Sequence, residues 1–181
     1  INVKGTLELI KRLEELDFDL TKFVFISTIN ANPKSKSVYE KDKFTIEEII
    51  LEKGGYVLKP GIIYDNKDPF SGGLLGNLYK LAKTFPILPN FTGTKKVYYL
   101  TSSEYFINHI EKILMGETGN TKKFRLFNVG PIDYKTLVNQ FMKLKKPIIR
   151  IPWSFGYIAS KLFESLNINF PLKSDSLLSI K

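Results

Sequence analysis

The chain has 181 residues, no cysteine and a single histidine, His109, which excludes disulfide scaffolds, cysteine-based zinc or iron–sulfur sites and multi-histidine metal centres, so no metal is expected. At 43% hydrophobic it is long enough to bury a core as one domain, or as a compact body with a small annex. A net charge of +9 admits anionic partners, but the cations are mainly scattered lysines without an RNA-binding fingerprint, so they read as a solvated surface and nucleic acid is not an expected partner.

In chain order, apolar residues at helical spacing (Val3, Leu7, Ile10, Leu13) predict a helix from Val3 to Leu16. Phe23–Ile26 is a short continuous apolar run, as in a parallel strand covered on both faces. A polar loop follows, and Tyr39–Lys53 reads as a helix ended by Gly54-Gly55. Tyr56–Leu58 is a second buried strand stopped by Lys59-Pro60-Gly61. Strand, helix, strand is the signature of a parallel α/β sheet, and the two strands are expected to be adjacent. Asp65–Gly73 reads as a turn-rich loop and Leu74–Phe85 as a helix. Then come a strand at Val97–Leu100, a helix at Ser102–Leu114, a strand at Phe124–Asn128, a helix at Tyr134–Leu144, a strand at Ile148–Ile151 and a helix at Trp153–Leu166. No apolar run approaches the roughly 20 residues of a membrane span, and no signal-peptide pattern opens the chain. The lack of cysteine fits a reducing compartment, and the cytoplasm is the expected location.

Two features invite a chemical reading. The glycine-rich Gly72–Gly76 run misses the spacing of either common phosphate-binding fingerprint and follows no buried strand, so it reads as a loop into a helix. Tyr39 and Lys43, four apart on one helix, share a face. Thr28 ends the preceding strand, and in open α/β sheets ligands bind beyond the carboxyl ends of strands. A tyrosine ionises near 10, and a neighbouring ammonium, helped by a cationic cofactor, would lower that value and make Tyr39 a general acid/base for a carbinol–carbonyl interconversion. The competing reading is a pair of ordinary surface residues.

The ordered set INVKGT, FVFIST, YEKDK and YVLKPGIIYD resembles the second half of an extended or atypical short-chain dehydrogenase/reductase, the NAD-dependent epimerase/dehydratase family, with later segments similar to members acting on nucleotide-sugars in polysaccharide biosynthesis. The resemblance implies a partial Rossmann, NAD(P)-binding parallel sheet with a small C-terminal substrate-binding subdomain. Residues 1–65 would be the second half of the Rossmann domain. Residues 66–181 would be mostly the substrate-binding subdomain, with a late Rossmann strand near 124–128. It implies NAD or NADP as cofactor, a nucleotide-sugar substrate, and room for a homodimer. By position, Thr28 would bond the reacting oxygen, Tyr39 would exchange its proton, and Lys43 would hold the nicotinamide ribose and lower the Tyr39 pKa. Asn2 would support the site through a water relay, and Pro60, Gly61 and Ile62 would lie against the nicotinamide.

Several positions depart from the family pattern: Lys59 stands where arginine is usual, Asp65 where glycine is common, and Ile62 where some epimerases place asparagine, while Thr101-Ser102-Ser103 lacks the usual aspartate. The short loop between Thr28 and Tyr39 is similar to that of atypical members, including a complex I accessory subunit. The alternative implied is therefore a non-catalytic NAD(P)H-binding accessory or assembly subunit. The chain begins at Ile1 within a helical pattern, so the glycine-rich turn of the family is expected to precede it.

Overall fold

The computed structural model describes residues 3–92 and 97–166. Helix α1 (Val3–Glu15) leads through a single 3-10 turn, Leu20–Lys22, into β1 (Val24–Ile26). Helix α2 (Val38–Glu52) starts where the Ser37 hydroxyl accepts the Glu40 N–H, satisfying one of the unpaired amides of the first turn. It stops at Gly54, whose φ of 77° is a left-handed conformation that glycine adopts without penalty. A side chain on the next residue, Gly55, would strike Ile50 and the Leu20 and Phe23 carbonyls. The chain can therefore turn tightly into β2 (Tyr56–Pro60).

β1 and β2 pair in parallel, with Val24 opposite Tyr56 and Ile26 opposite Leu58, as the strand–helix–strand pattern predicts. The late strand β6 (Lys123–Leu126) joins the other side of β2, also parallel, placing Val57 opposite Lys123 and Lys59 opposite Arg125. Side chains alternate across this three-stranded sheet. Phe25 and Val57 pack with Ile10, Ile46 and Ile50 of α1 and α2. Val24, Leu58 and Leu126 pack on the other face with Ile110 and Ile113 of helix α4 (Ser103–Leu114). Helices on both faces explain why β1 and β2 read as unbroken apolar runs.

The chain crosses directly from β2 into β3 (Ile62–Tyr64), which pairs in parallel with β5 (Tyr98–Ser102). Gly61 makes this joint possible, because a Cβ there would lie 2.2 Å from the Tyr99 carbonyl oxygen. Helix α3 (Gly73–Thr84) follows, then β4 (Leu88–Thr92) and, after α4 and β6, β7 (Val129–Ile132), antiparallel to β5. A third small sheet pairs β4 with β8 (Ile148–Pro152), which runs into α6 (Trp153–Ser165). Leu75, Leu88, Leu100, Leu137 and Val138 form the core of this later part.

Three strands, β3, β4 and β7, were not expected from the sequence. The helix expected over Tyr134–Leu144 is instead one short turn, α5 (Tyr134–Thr136), widening into a π-helical turn at Leu137–Phe141, where the Met142 N–H reaches the Leu137 carbonyl at 2.9 Å. The glycine run is a loop into α3, with Gly72 and Gly73 meeting nothing nearby. No helix among the described residues is long and apolar enough to cross a membrane, and no cluster of metal-ligating side chains occurs among them.

Candidate functional site

Where β1 ends, the sheet ladder continues for one more bond, from the Ile29 N–H to the Pro60 carbonyl at 2.9 Å. Between them Thr28 is half-buried, and its carbonyl accepts the Ala31 N–H at 3.0 Å. The Ser27 N–H bonds to Leu58 of β2, so the carbonyl of Ile26, across the same trans peptide, points to the outer edge of β1. The buried Lys43 reaches that edge, its Nζ donating to the Ile26 oxygen at 2.6 Å and lying 4.6 Å from the centre of the Phe25 ring. Burial pushes the Lys43 pKa down, opposed by the Glu47 carboxylate. Tyr39 sits one helical turn earlier and is 40% exposed.

Lys43 is thus brought to the end of β1, two residues before Thr28. The expected lowering of the Tyr39 pKa is not present. Its phenol is pushed above the ordinary tyrosine value, first by burial and then by the adjacent Glu40 carboxylate, while the Lys43 ammonium is held by Ile26. Pro60 is buried at the end of β2. The Gly61 N–H donates to the Leu126 carbonyl and the Thr101 hydroxyl, and Ile62 opens β3, so all three occupy the joint between the two sheets. Asn2 lies outside the described residues.

A buried ionic cluster escaped sequence reasoning. Glu47, fully buried on α2, accepts the Ser27 hydroxyl at 2.5 Å and lies 2.8 Å from Lys59 Nζ and 2.9 Å from Lys123 Nζ. Lys59 Nζ also donates to the Ala31 carbonyl at 2.8 Å. The cluster therefore ties α2, all three strands and the loop after Thr28 together. Thr101 is a second such residue: its hydroxyl donates to the Leu126 carbonyl at 2.6 Å and accepts the Gly61 N–H, fastening β5 to the β2–β3 joint.

No protein-family model matches the sequence, and no curated protein matches it. Solved structures do. The terminal R domain from the myxalamid PKS-NRPS biosynthetic pathway is 15% identical, with a TM-score of 0.55 over 86% of this chain and 45% of that one. The dTDP-4-dehydrorhamnose reductase from Bacillus anthracis, solved with NADP, is 12% identical, with a TM-score of 0.56 over 87% of this chain and 63% of that one. The UDP-glucuronic acid 4-epimerase from Bacillus cereus, solved with UDP-glucuronic acid and NAD, is 12% identical, with a TM-score of 0.53 over 99% of this chain and 65% of that one. The chain thus spans between about half and two thirds of the length of these structures. They share its fold, the mixed α/β arrangement with parallel strands of Rossmann-like proteins.

Proposed function

We propose that the chain is part of an NAD(P)-dependent epimerase, dehydratase or reductase acting on a nucleotide-sugar. The observation that carries the reading is the placement of Lys43 on the edge of β1 at Ile26, two residues before Thr28, with Tyr39 one turn away on the same helix. A phenol, an ammonium and a hydroxyl are the donor set that fits the nicotinamide-ribose end of such a cofactor, with Lys43 and Tyr39 against the ribose and Pro60, Gly61 and Ile62 beside the ring. When bound, the nicotinamide supplies hydride chemistry.

The residues of this chain would handle the proton. Thr28 would donate a hydrogen bond to the reacting sugar oxygen. Tyr39 would take that oxygen's proton on oxidation and return it on reduction. Lys43 would favour the phenolate once its ammonium turns from the Ile26 carbonyl towards Tyr39. The domain division extends the proposal, with residues 66–181 supplying most of the sugar-nucleotide contacts.

A second reading, a non-catalytic NAD(P)H-binding accessory subunit, is favoured by the raised Tyr39 pKa and the engagement of Lys43 with Ile26. One experiment separates the two. The protein is incubated with NAD(P) and a panel of nucleotide-sugars, following nicotinamide absorbance and sugar products, for the wild type and Tyr39→Phe. An enzyme loses turnover by about two to four orders of magnitude in the variant and keeps its cofactor affinity. Cofactor binding without turnover in the wild type establishes the accessory role, and equal turnover in both proteins overturns the Tyr39 assignment.

A further inference from the structure

Lys43 reaches the outer edge of β1, whereas β2 and β6 lie on the opposite side of that strand. There an open groove of about 690 Å³ is lined by Asn30, Asn32, Glu40, Lys59, Lys123 and Arg125, together with apolar residues of the loop after Thr28. The groove lies within the range of about 300–1,000 Å³ usual for small-molecule sites. Register puts Lys59 and Arg125 side by side on neighbouring strands, about 4.8 Å apart along the sheet. Lys123, two residues before Arg125, projects from the same face.

The charges in this groove are unequally committed. Lys59, 5% exposed, is held by Glu47 and the Ala31 carbonyl. Lys123 is held by Glu47 and lies 3.5 Å from Glu48. The Glu40 carboxylate accepts the Ser35 hydroxyl. Arg125 forms no ion pair among the described residues, so its guanidinium fork is available beside an ammonium fixed by a buried carboxylate. A planar fork next to a fixed ammonium is a donor set that suits phosphate oxygens. The carboxamides of Asn30 and Asn32 favour a polar body over an apolar one.

We propose that this groove binds a phosphorylated small molecule, its phosphate or pyrophosphate seated between Arg125 and Lys123 and its polar body along the Asn30–Asn32 loop. The site is separate from the Tyr39–Lys43 edge and does not depend on the hydride-transfer reading. Ligand binding here would bear on the loop that follows Thr28 through Ala31 and Lys59.

Calorimetric titration of the full chain with inorganic pyrophosphate tests this, with inorganic phosphate and sulfate as separate arms. Saturable pyrophosphate binding is expected, weakened about tenfold or more by Arg125→Gln, the loss of one charge-assisted contact. Lys145→Gln, on a distant exposed loop, should leave it unchanged, with circular dichroism checking that each variant folds. Stronger binding of phosphate than of pyrophosphate would narrow the ligand to a monophosphate ester. No saturable binding, or equal weakening by Arg125→Gln and Lys145→Gln, would each overturn the assignment, as would sulfate binding as tightly as either phosphate.

Discussion

Tyr39 and Lys43 stand one turn apart, and burial disfavours the charged form of each: the tyrosine pKa rises and the lysine pKa falls. The Glu40 carboxylate adds to the tyrosine shift, and Glu47 opposes the lysine shift. A folded tyrosine whose pKa is raised keeps its proton after the unfolded phenol has lost one. Its contribution to stability is therefore present below the ordinary value of about 10 and is lost as pH rises through the folded pKa. Phenolate absorbance, taken as the difference between wild type and Tyr39→Phe, should show Tyr39 ionising above that ordinary value. Glu40→Gln should bring the step down by removing the neighbouring negative charge. A Tyr39 step below the ordinary value, without added cofactor, would be inconsistent with a half-buried phenol beside the Glu40 carboxylate.

At the scale of elements, the Glu47 cluster is what joins α2 to β1, β2 and β6, and removing one partner leaves a charge buried beside too little compensation. Lys59→Met should cost about 3–5 kcal/mol in urea unfolding, because Glu47 keeps Lys123 as its one cation beside the Ser27 hydroxyl and the Ala31 carbonyl loses its donor. Lys59→Arg should cost less, since it keeps the charge and the donors, and Glu47→Gln combined with Lys59→Met should recover part of the loss. A loss within about 0.5 kcal/mol for Lys59→Met would place the cluster among ordinary surface pairs. None of this was visible in the sequence, where the lysines read as a solvated surface: the meeting of Glu47 with Lys59 and Lys123 depends on strand register between segments far apart in the chain. The α2 pair was legible because helical periodicity alone puts Tyr39 and Lys43 on one face. β1, β2 and α2 were legible for the same reason, each being a local pattern closed by Ser37 or by glycine. β3 and β7 were hidden by turn-forming residues, Pro60-Gly61 before one and Gly130-Pro131 within the other. β4 carries Pro89 and pairs only with β8, so its strand character comes from a distant partner. The Tyr134–Leu144 pattern continued in helical rhythm, but Leu137, Val138 and Met142 all turn into one core, and the backbone widens there to allow it.

For the molecule as a whole, the outer edge of β1 is where sheet chemistry and net charge oppose each other. Odd-numbered residues of β1 bond to β2, so Val24 and Ile26 turn their backbone groups outward, and among the described residues no strand pairs with them. Lys43 satisfies the Ile26 carbonyl, but the Ile26 side chain is 44% exposed. An open strand edge beside apolar surface favours association, whereas a net charge of +9 opposes the approach of a second copy. Salt screens the second effect more than the first, so sedimentation should show self-association that strengthens as ionic strength rises. Ile26→Lys should reduce it by placing a charge on the edge, and the Val24 and Ile26 amides of the wild type should exchange hydrogen more slowly as protein concentration increases. Because Lys43 and Tyr39 stand beside the same edge, association there would also withdraw both from solvent and raise the Tyr39 ionisation step further. A chain that remains monomeric at every concentration and salt, or that associates equally well with Ile26→Lys, would show that this edge is not the contact surface.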